Sequence, residues 1–221
     1  MILTDYLRFL RSPTYHIQPE PVHWKGLGTL FLFDAVVGIS LGYALNELSY
    51  YYPLDYVLED EEPVKLLLLG VLLAPPLEEV TFRLWLRVSR STLFALAFLL
   101  FFIGVLLLST SQLGAVLLIS FCVCLLVLTL MGYQPNIERT VARHFRLFFY
   151  ASSGLFAAVH LTNFVALEEI PVLLTPLLVL PHFVGGTVLG YIRMRYGLKY
   201  AILNHAAFNA LFFSLSILFP M

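Results

Sequence analysis

Apolar runs long enough to cross a lipid bilayer recur along this chain, and they dominate what it can fold into. They fall at about Leu27–Leu45, Val64–Trp85, Thr92–Leu108, Leu113–Met131, Leu147–Phe164, Ile170–Ile192 and Tyr200–Phe219. A helix needs about 20 residues to cross the hydrocarbon core, so the pattern predicts about seven transmembrane spans, the third and fifth being short. Lipid offers backbone N–H and C=O groups no partner, which leaves helices or a closed barrel as the spanning structures. Runs of this length select helices. The expected fold is an all-α polytopic membrane bundle, one integral domain over residues 1–221. Composition agrees: 60% of the 221 residues are hydrophobic and 12% charged, where a soluble domain carries about 25% charged.

The basic residues orient the bundle. Arg8, Arg11 and Lys25 precede the first span. Arg83, Arg87 and Arg90 follow the second, Arg139, Arg143 and Arg146 the fourth, and Arg193, Arg195 and Lys199 the sixth. Of the 13 Lys and Arg, Lys65 alone falls at the opposite end, which collects Glu59–Glu62 and Glu168–Glu169. The expected topology is a cytoplasmic N-terminus and an outer C-terminus, in a bacterial inner membrane or plasma membrane. Tyr50, Tyr51 and Tyr52 read as an interfacial belt. Tyr6–Arg11 reads as a short amphipathic helix lying in the interface.

Several functions drop out. A net charge of −1 gives nucleic acid no electrostatic footprint. The two cysteines, Cys122 and Cys124, point apart on one helix and match neither a CxxC nor a zinc spacing. Met1–Trp24 shows no cleavable signal peptide. No His-Glu-x-x-His or Gly-x-Ser-x-Gly motif occurs, and no second buried aspartate pairs with Asp34.

Ionisable groups inside apolar runs are costly and usually functional. The clearest stretch is Pro75-Pro76-Leu77-Glu78-Glu79-Val80-Thr81-Phe82-Arg83. Glu79 and Arg83 are four apart, so a helix places them on one face, where they can pair. Glu78 is turned about 100° from Glu79. Two further groups stand in later spans: Phe156-x-x-x-His160, and His205-x-x-x-Asn209 on one helix face. Small residues beside each (Ala157, Ala158, Ala206, Ala207, Ala210) let helices approach closely. A glutamate can act as general base. Two histidines and a carboxylate are also a zinc-ligand set; if a metal is present, its ligands would be His160, His205 and Glu78. An asparagine amide can stabilise an oxyanion. For each group the plainer reading is structural: juxtamembrane charges at Glu78–Arg83, a core histidine bonded to a carbonyl at His160, and interhelical glue at His205 and Asn209. Asp34 reads as structural or snorkelling. His182 is ambiguous, and Asn163 and Asn204 flank motif histidines as supporting partners.

In this order, each in an apolar helix and the glutamates behind a proline, the three motifs resemble those of the CAAX-processing and bacteriocin-processing (CPBP, or Abi) intramembrane proteases. The resemblance covers about Leu66–Arg90 and Leu147–Phe213. It implies a catalytic core of 64–90 and 147–219, with 91–131 an inserted hairpin and 1–25 a cytoplasmic or interfacial segment. It implies peptide-bond hydrolysis in the membrane, with a membrane-associated or lipidated peptide as substrate. Glu78 would activate water, His160 and His205 assist, Asn209 stabilise the oxyanion, and Glu79 and Arg83 hold the site by their ion pair. It leaves metal dependence open, with zinc the candidate. A scaffold or immunity-type protein of the same fold, binding a partner helix, and a small transporter are the other readings. One tension stands. If span five starts at Leu147, His160 lies about 13 residues, roughly 20 Å, from the basic end, whereas His205 lies near it. Convergence requires Arg139–Tyr150 to begin as helix on the basic side, or a tilted span.

Overall fold

The computed structural model describes residues 1–52, 54, 62–165 and 167–218. The acidic run from Asp55 through Glu61 and the last turn at Phe219 lie outside them. Among the described residues the chain is helical throughout, with no strands. The helices are α1 (Ile2–Arg11), α2 (Trp24–Ser49), α3 (Pro63–Leu67), α4 (Ala74–Arg83), α5 (Arg90–Leu106), α6 (Gln112–Leu130), α7 (Gln134–Arg143), α8 (Phe145–Val159), α9 (Thr175–Leu178), α10 (Leu180–Arg195) and α11 (Leu198–Leu218).

Among the described residues, three unbroken helices are long and apolar enough to cross a membrane: Trp24–Leu48, Arg90–Ser109 and Gln112–Leu130. A fourth is reached if Val172–Leu178 and Leu180–Arg195, bent by 41° at Val179, count as one. Three to four spans are thus supported among the described residues, and the expected seven are not confirmed. Part of the reason lies in segments that are polar or irregular. The stretch from Pro63 to Leu86 is not one helix. It runs as α3, a π-helical segment Leu68–Leu73, α4 and a 3-10 turn Leu84–Leu86. Pro75 and Pro76 cannot donate to carbonyls one turn back, and the widened π turn sits immediately before them. The fifth run falls in α8, which starts at Phe145 after a break from α7 at His144, is 15 residues long and gives way to a 3-10 turn, His160–Asn163.

α5 and α6 form an antiparallel hairpin. Ser89 caps α5 with a capping box, its hydroxyl accepting from Thr92 N and Thr92 accepting from Ser89 N. Ser111 caps α6 by accepting from Gly114 N at 3.3 Å. The two helices meet at small residues: a Cβ on Gly104 would stand 2.8 Å from Ile119, and Ala97 and Ala115 are fully buried. Close approach through small residues is how helices associate where lipid removes the hydrophobic drive.

The remaining helices pack around α10. Gly197, with φ of +106°, ends α10 in the left-handed conformation that favours glycine, and its N–H donates back to Ile192 O at 3.2 Å and Arg193 O at 3.1 Å. This tight turn sends α11 back beside α10. α1 is helical as the sequence suggests, and its apolar face packs against the protein. Tyr6 is 1% exposed and Phe9 7%. Tyr6 is hydrogen-bonded to Thr187 Oγ1 at 2.7 Å, and the Phe9 ring lies 5.1 Å from both Phe149 and Tyr191. The apolar face of α1 is covered by α8 and α10, so protein rather than lipid takes it. A separate, smaller core of Leu45, Leu54, Phe164, Ile170 and Leu178 closes the opposite end.

Candidate active site

The site is built by α4, the end of α8, α10 and α11, with α2 behind. α4 runs antiparallel to both α8 and α11. Phe82 O meets Ser152 Oγ at 2.5 Å while Glu78 meets His160, and Glu79 meets His205 while Gly70 meets Asn209. Side chains on a helix lean toward its N-terminus. Glu78 and Glu79 therefore reach toward the acidic end of the bundle, and His160 and His205 reach the other way. That opposed lean helps close the axial gap between His160 and the glutamates.

Glu79 and Arg83 are both fully buried. Glu79 Oε1 lies 2.9 Å from Arg83 Nη1 and 3.0 Å from His205 Nδ1. The arginine contact is close but poorly aligned, for none of the three guanidinium nitrogens meets hydrogen-bond geometry. The guanidinium instead lies 3.8 Å over the Phe156 ring, a favourable cation–π placement in a dry interior. α10 makes room with glycine: a Cβ on Gly186 would stand 3.2 Å from Phe156 and 3.4 Å from Arg83 Nη2.

The two histidines are held with defined faces. His160 Nδ1 is 2.7 Å from Phe156 O. A carbonyl only accepts, so Nδ1 carries the proton and Nε2 presents a lone pair. His205 Nδ1 faces the arginine-paired carboxylate of Glu79, which assigns its proton to Nδ1 and the lone pair to Nε2 by the same logic. Both Nε2 atoms point at Glu78 Oε2, at 3.9 Å from His160 and 3.7 Å from His205. Glu78 Oε2 is buried without a hydrogen-bond partner. Three acceptors thus converge at separations too long for direct hydrogen bonds and suited to one bridging water.

The same donors are chemically apt for zinc. Ligands at 2.0–2.1 Å in a tetrahedron lie about 3.3 Å apart, closer than either nitrogen–oxygen separation. Among the described residues no three His, Cys, Asp or Glu are grouped to hold an ion. The residues as arranged do not fit a metal, and no step below passes through one.

Asn209 shares a face with His205, but its amide is turned to the helix opposite. Nδ2 donates to Gly70 O at 2.8 Å. That carbonyl is left free by sequence. Ala74 N bonds to Leu69 O in the π turn, and the next residue, Pro75, has no N–H to offer. Asn209 therefore closes a gap that the proline opens.

Sequence reasoning undervalued three residues. His182 stacks on His160 with ring centroids 3.9 Å apart. Asp34 does not snorkel: it is 4% exposed, and a Cβ on Gly185 would lie 3.5 Å from its Oδ1. Ser152, 1% exposed, ties α8 to α4. The glycine pair Gly185-Gly186 after His182 was the available signal for the first two. Asn204 is buried with Nδ2 unpartnered.

A family model described as type II CAAX prenyl endopeptidase, Rce1-like, matches residues 60–211. The chain belongs to the Rce1-like family. The match takes in α3 through most of α11, with every motif residue and the α5–α6 hairpin, and leaves α1 and α2 outside. No curated protein and no solved structure matches the chain. Membership places this apolar helical protein among CAAX-type intramembrane proteases, embedded in a lipid bilayer.

Proposed function

We propose that this Rce1-like protein is an intramembrane endopeptidase in which Glu78 activates a water held between its carboxylate, His160 and His205. The supporting observation is the convergence of Glu78 Oε2 with the two Nε2 atoms at 3.7 and 3.9 Å. A water there has two hydrogens, one given to Glu78 Oε2 and one to a histidine Nε2. Glu78 takes its proton as the oxygen attacks the scissile carbonyl carbon, and the proton passes on to the leaving amine nitrogen.

Glu79 and Arg83 act at one remove. Paired to Arg83, Glu79 holds the Nδ1–H of His205, which keeps the lone pair of Nε2 on the water. His182 is a wall that fixes the His160 ring. One N–H of Asn209 is committed to Gly70 O, and the second is the oxyanion donor. The substrate is a membrane-associated, lipidated peptide, whose apolar anchor stays in the bilayer while its backbone enters the bundle. The Arg-rich end of the bundle faces the cytoplasm.

The test is cleavage of a short prenylated reporter peptide by purified protein, with and without chelator, beside Glu78→Gln. We expect wild-type cleavage to survive chelation and Glu78→Gln to lose about 10²–10⁴-fold in rate with an unchanged thermal midpoint. Full activity in a folded Glu78→Gln protein would remove Glu78 as the base, and no cleavage by the folded wild type would favour the scaffold reading. Loss of wild-type activity on chelation would restore a metal to the site.

A further inference from the structure

A second concave site lies at the basic end of the bundle, below the glutamates and apart from them. Its cavity holds about 470 Å³. Arg87, Arg90 and Arg193 line it, with Ser89, Thr92 and Gln134. Arg193 is 6% exposed. Its Nε donates to Arg83 O at 3.1 Å and Nη2 to Leu84 O at 3.2 Å, which satisfies hydrogens without neutralising the charge. Arg87 is likewise bonded to backbone carbonyls, those of His16 and Met194. Among the described residues no carboxylate forms an ion pair with Arg87, Arg90 or Arg193. Glu138 also lines the cavity, but its two oxygens already accept from Tyr15 Oη at 3.3 Å and Gln134 Nε2 at 2.9 Å. Three guanidiniums therefore face one occupied carboxylate. A buried cation without a counter-charge is costly, and arginine's planar fork suits phosphate oxygens.

The depth of the cavity narrows the choice of anion. Ser89 is the N-cap of α5, and α5 opens the apolar span Arg90–Ser109. The cavity thus sits at the first turn of a spanning helix, where lipid phosphates lie, and basic pockets at such positions bind anionic head groups. We propose that the Arg87–Arg90–Arg193 cavity binds a phosphate oxyanion, supplied by the head group of an anionic phospholipid. Arg193 also caps the last carbonyls of α4, so an occupied cavity braces the helix that carries Glu78, Glu79 and Arg83.

The test uses the full chain in mild detergent, with binding rather than cleavage as readout. Retained lipid is counted by native mass spectrometry, and the thermal midpoint is followed with phosphatidylglycerol, phosphatidylcholine, oleate or inorganic phosphate added. Two net positive charges predict retention of phosphatidylglycerol over phosphatidylcholine by about tenfold or more, with a raised midpoint. Arg90 is exposed and makes no backbone bond, so Arg90→Gln should fold normally and reduce that preference by about fivefold. Arg87→Gln and Arg193→Gln also give up bonds to backbone carbonyls and are the less clean variants. Equal retention of the two phospholipids by the wild type would overturn the proposal. So would oleate matching phosphatidylglycerol, since charge alone would then suffice. Stabilisation by inorganic phosphate without any lipid preference would make this a site for free phosphate and overturn the lipid source.

Discussion

The α5–α6 hairpin and the motif-bearing helices belong to one chain and meet the membrane in opposite ways. The hairpin is regular: two capped helices of 17 and 19 residues, with only 17% and 22% of their apolar windows buried inside the protein. The core is irregular. It contains a π segment, a proline pair, 3-10 turns and a bent helix, and it buries Glu79, Arg83, Arg193 and Asp34. Lipid explains the division. Backbone that faces hydrocarbon must satisfy itself within the helix, and irregular backbone survives only where protein covers it. Asn209 bonded to Gly70 O is that rule at the scale of one carbonyl.

Substitutions can break this comparison. The largest stability effect is expected at Arg83→Ala. It strands Glu79 as a fully buried charge, which typically costs about 3–5 kcal/mol. The fall in thermal midpoint in detergent should far exceed that of Glu78→Gln, and equal midpoints would contradict the ion-pair account. A smaller loss, about 1–3 kcal/mol, is expected for Asn209→Ala, which leaves Gly70 O without its donor. Under the proposed oxyanion role of the amide, this variant should lose cleavage rate beyond what its lower folded fraction explains. In the hairpin, Phe98 is 73% exposed on α5. Phe98→Leu should change stability by no more than about 0.5 kcal/mol. A large effect there would mean that protein, not lipid, covers the hairpin.

The same division explains what the sequence discloses. The helical class, the membrane setting and the family follow from apolar runs and from three short motifs. Residues Leu27–Leu45, Thr92–Leu108 and Leu113–Met131 were legible as spans because their hydropathy stays high throughout, Asp34 being the one charged residue within them. Val64–Trp85 and Leu147–Phe164 were not, because hydropathy cannot register a π turn ahead of Pro75 or the 3-10 turn that follows α8 at His160. Pairing of Glu79 with Arg83 is local, four residues apart, and was visible. The partner of Asn209 is 139 residues away and was not. The burial of α1 was equally hidden, since a helix with one apolar face reads alike whether lipid or protein covers that face.

The most direct measurement is a double-mutant comparison of cleavage rates. Glu78→Gln, His160→Ala and the pair together would be assayed on one prenylated peptide, each corrected for folded protein. If both side chains serve a single water, they act as a unit, and the double variant should be no slower than the slower single one. Losses that multiply, as they do for independent sites, would contradict a water shared between Glu78 and His160.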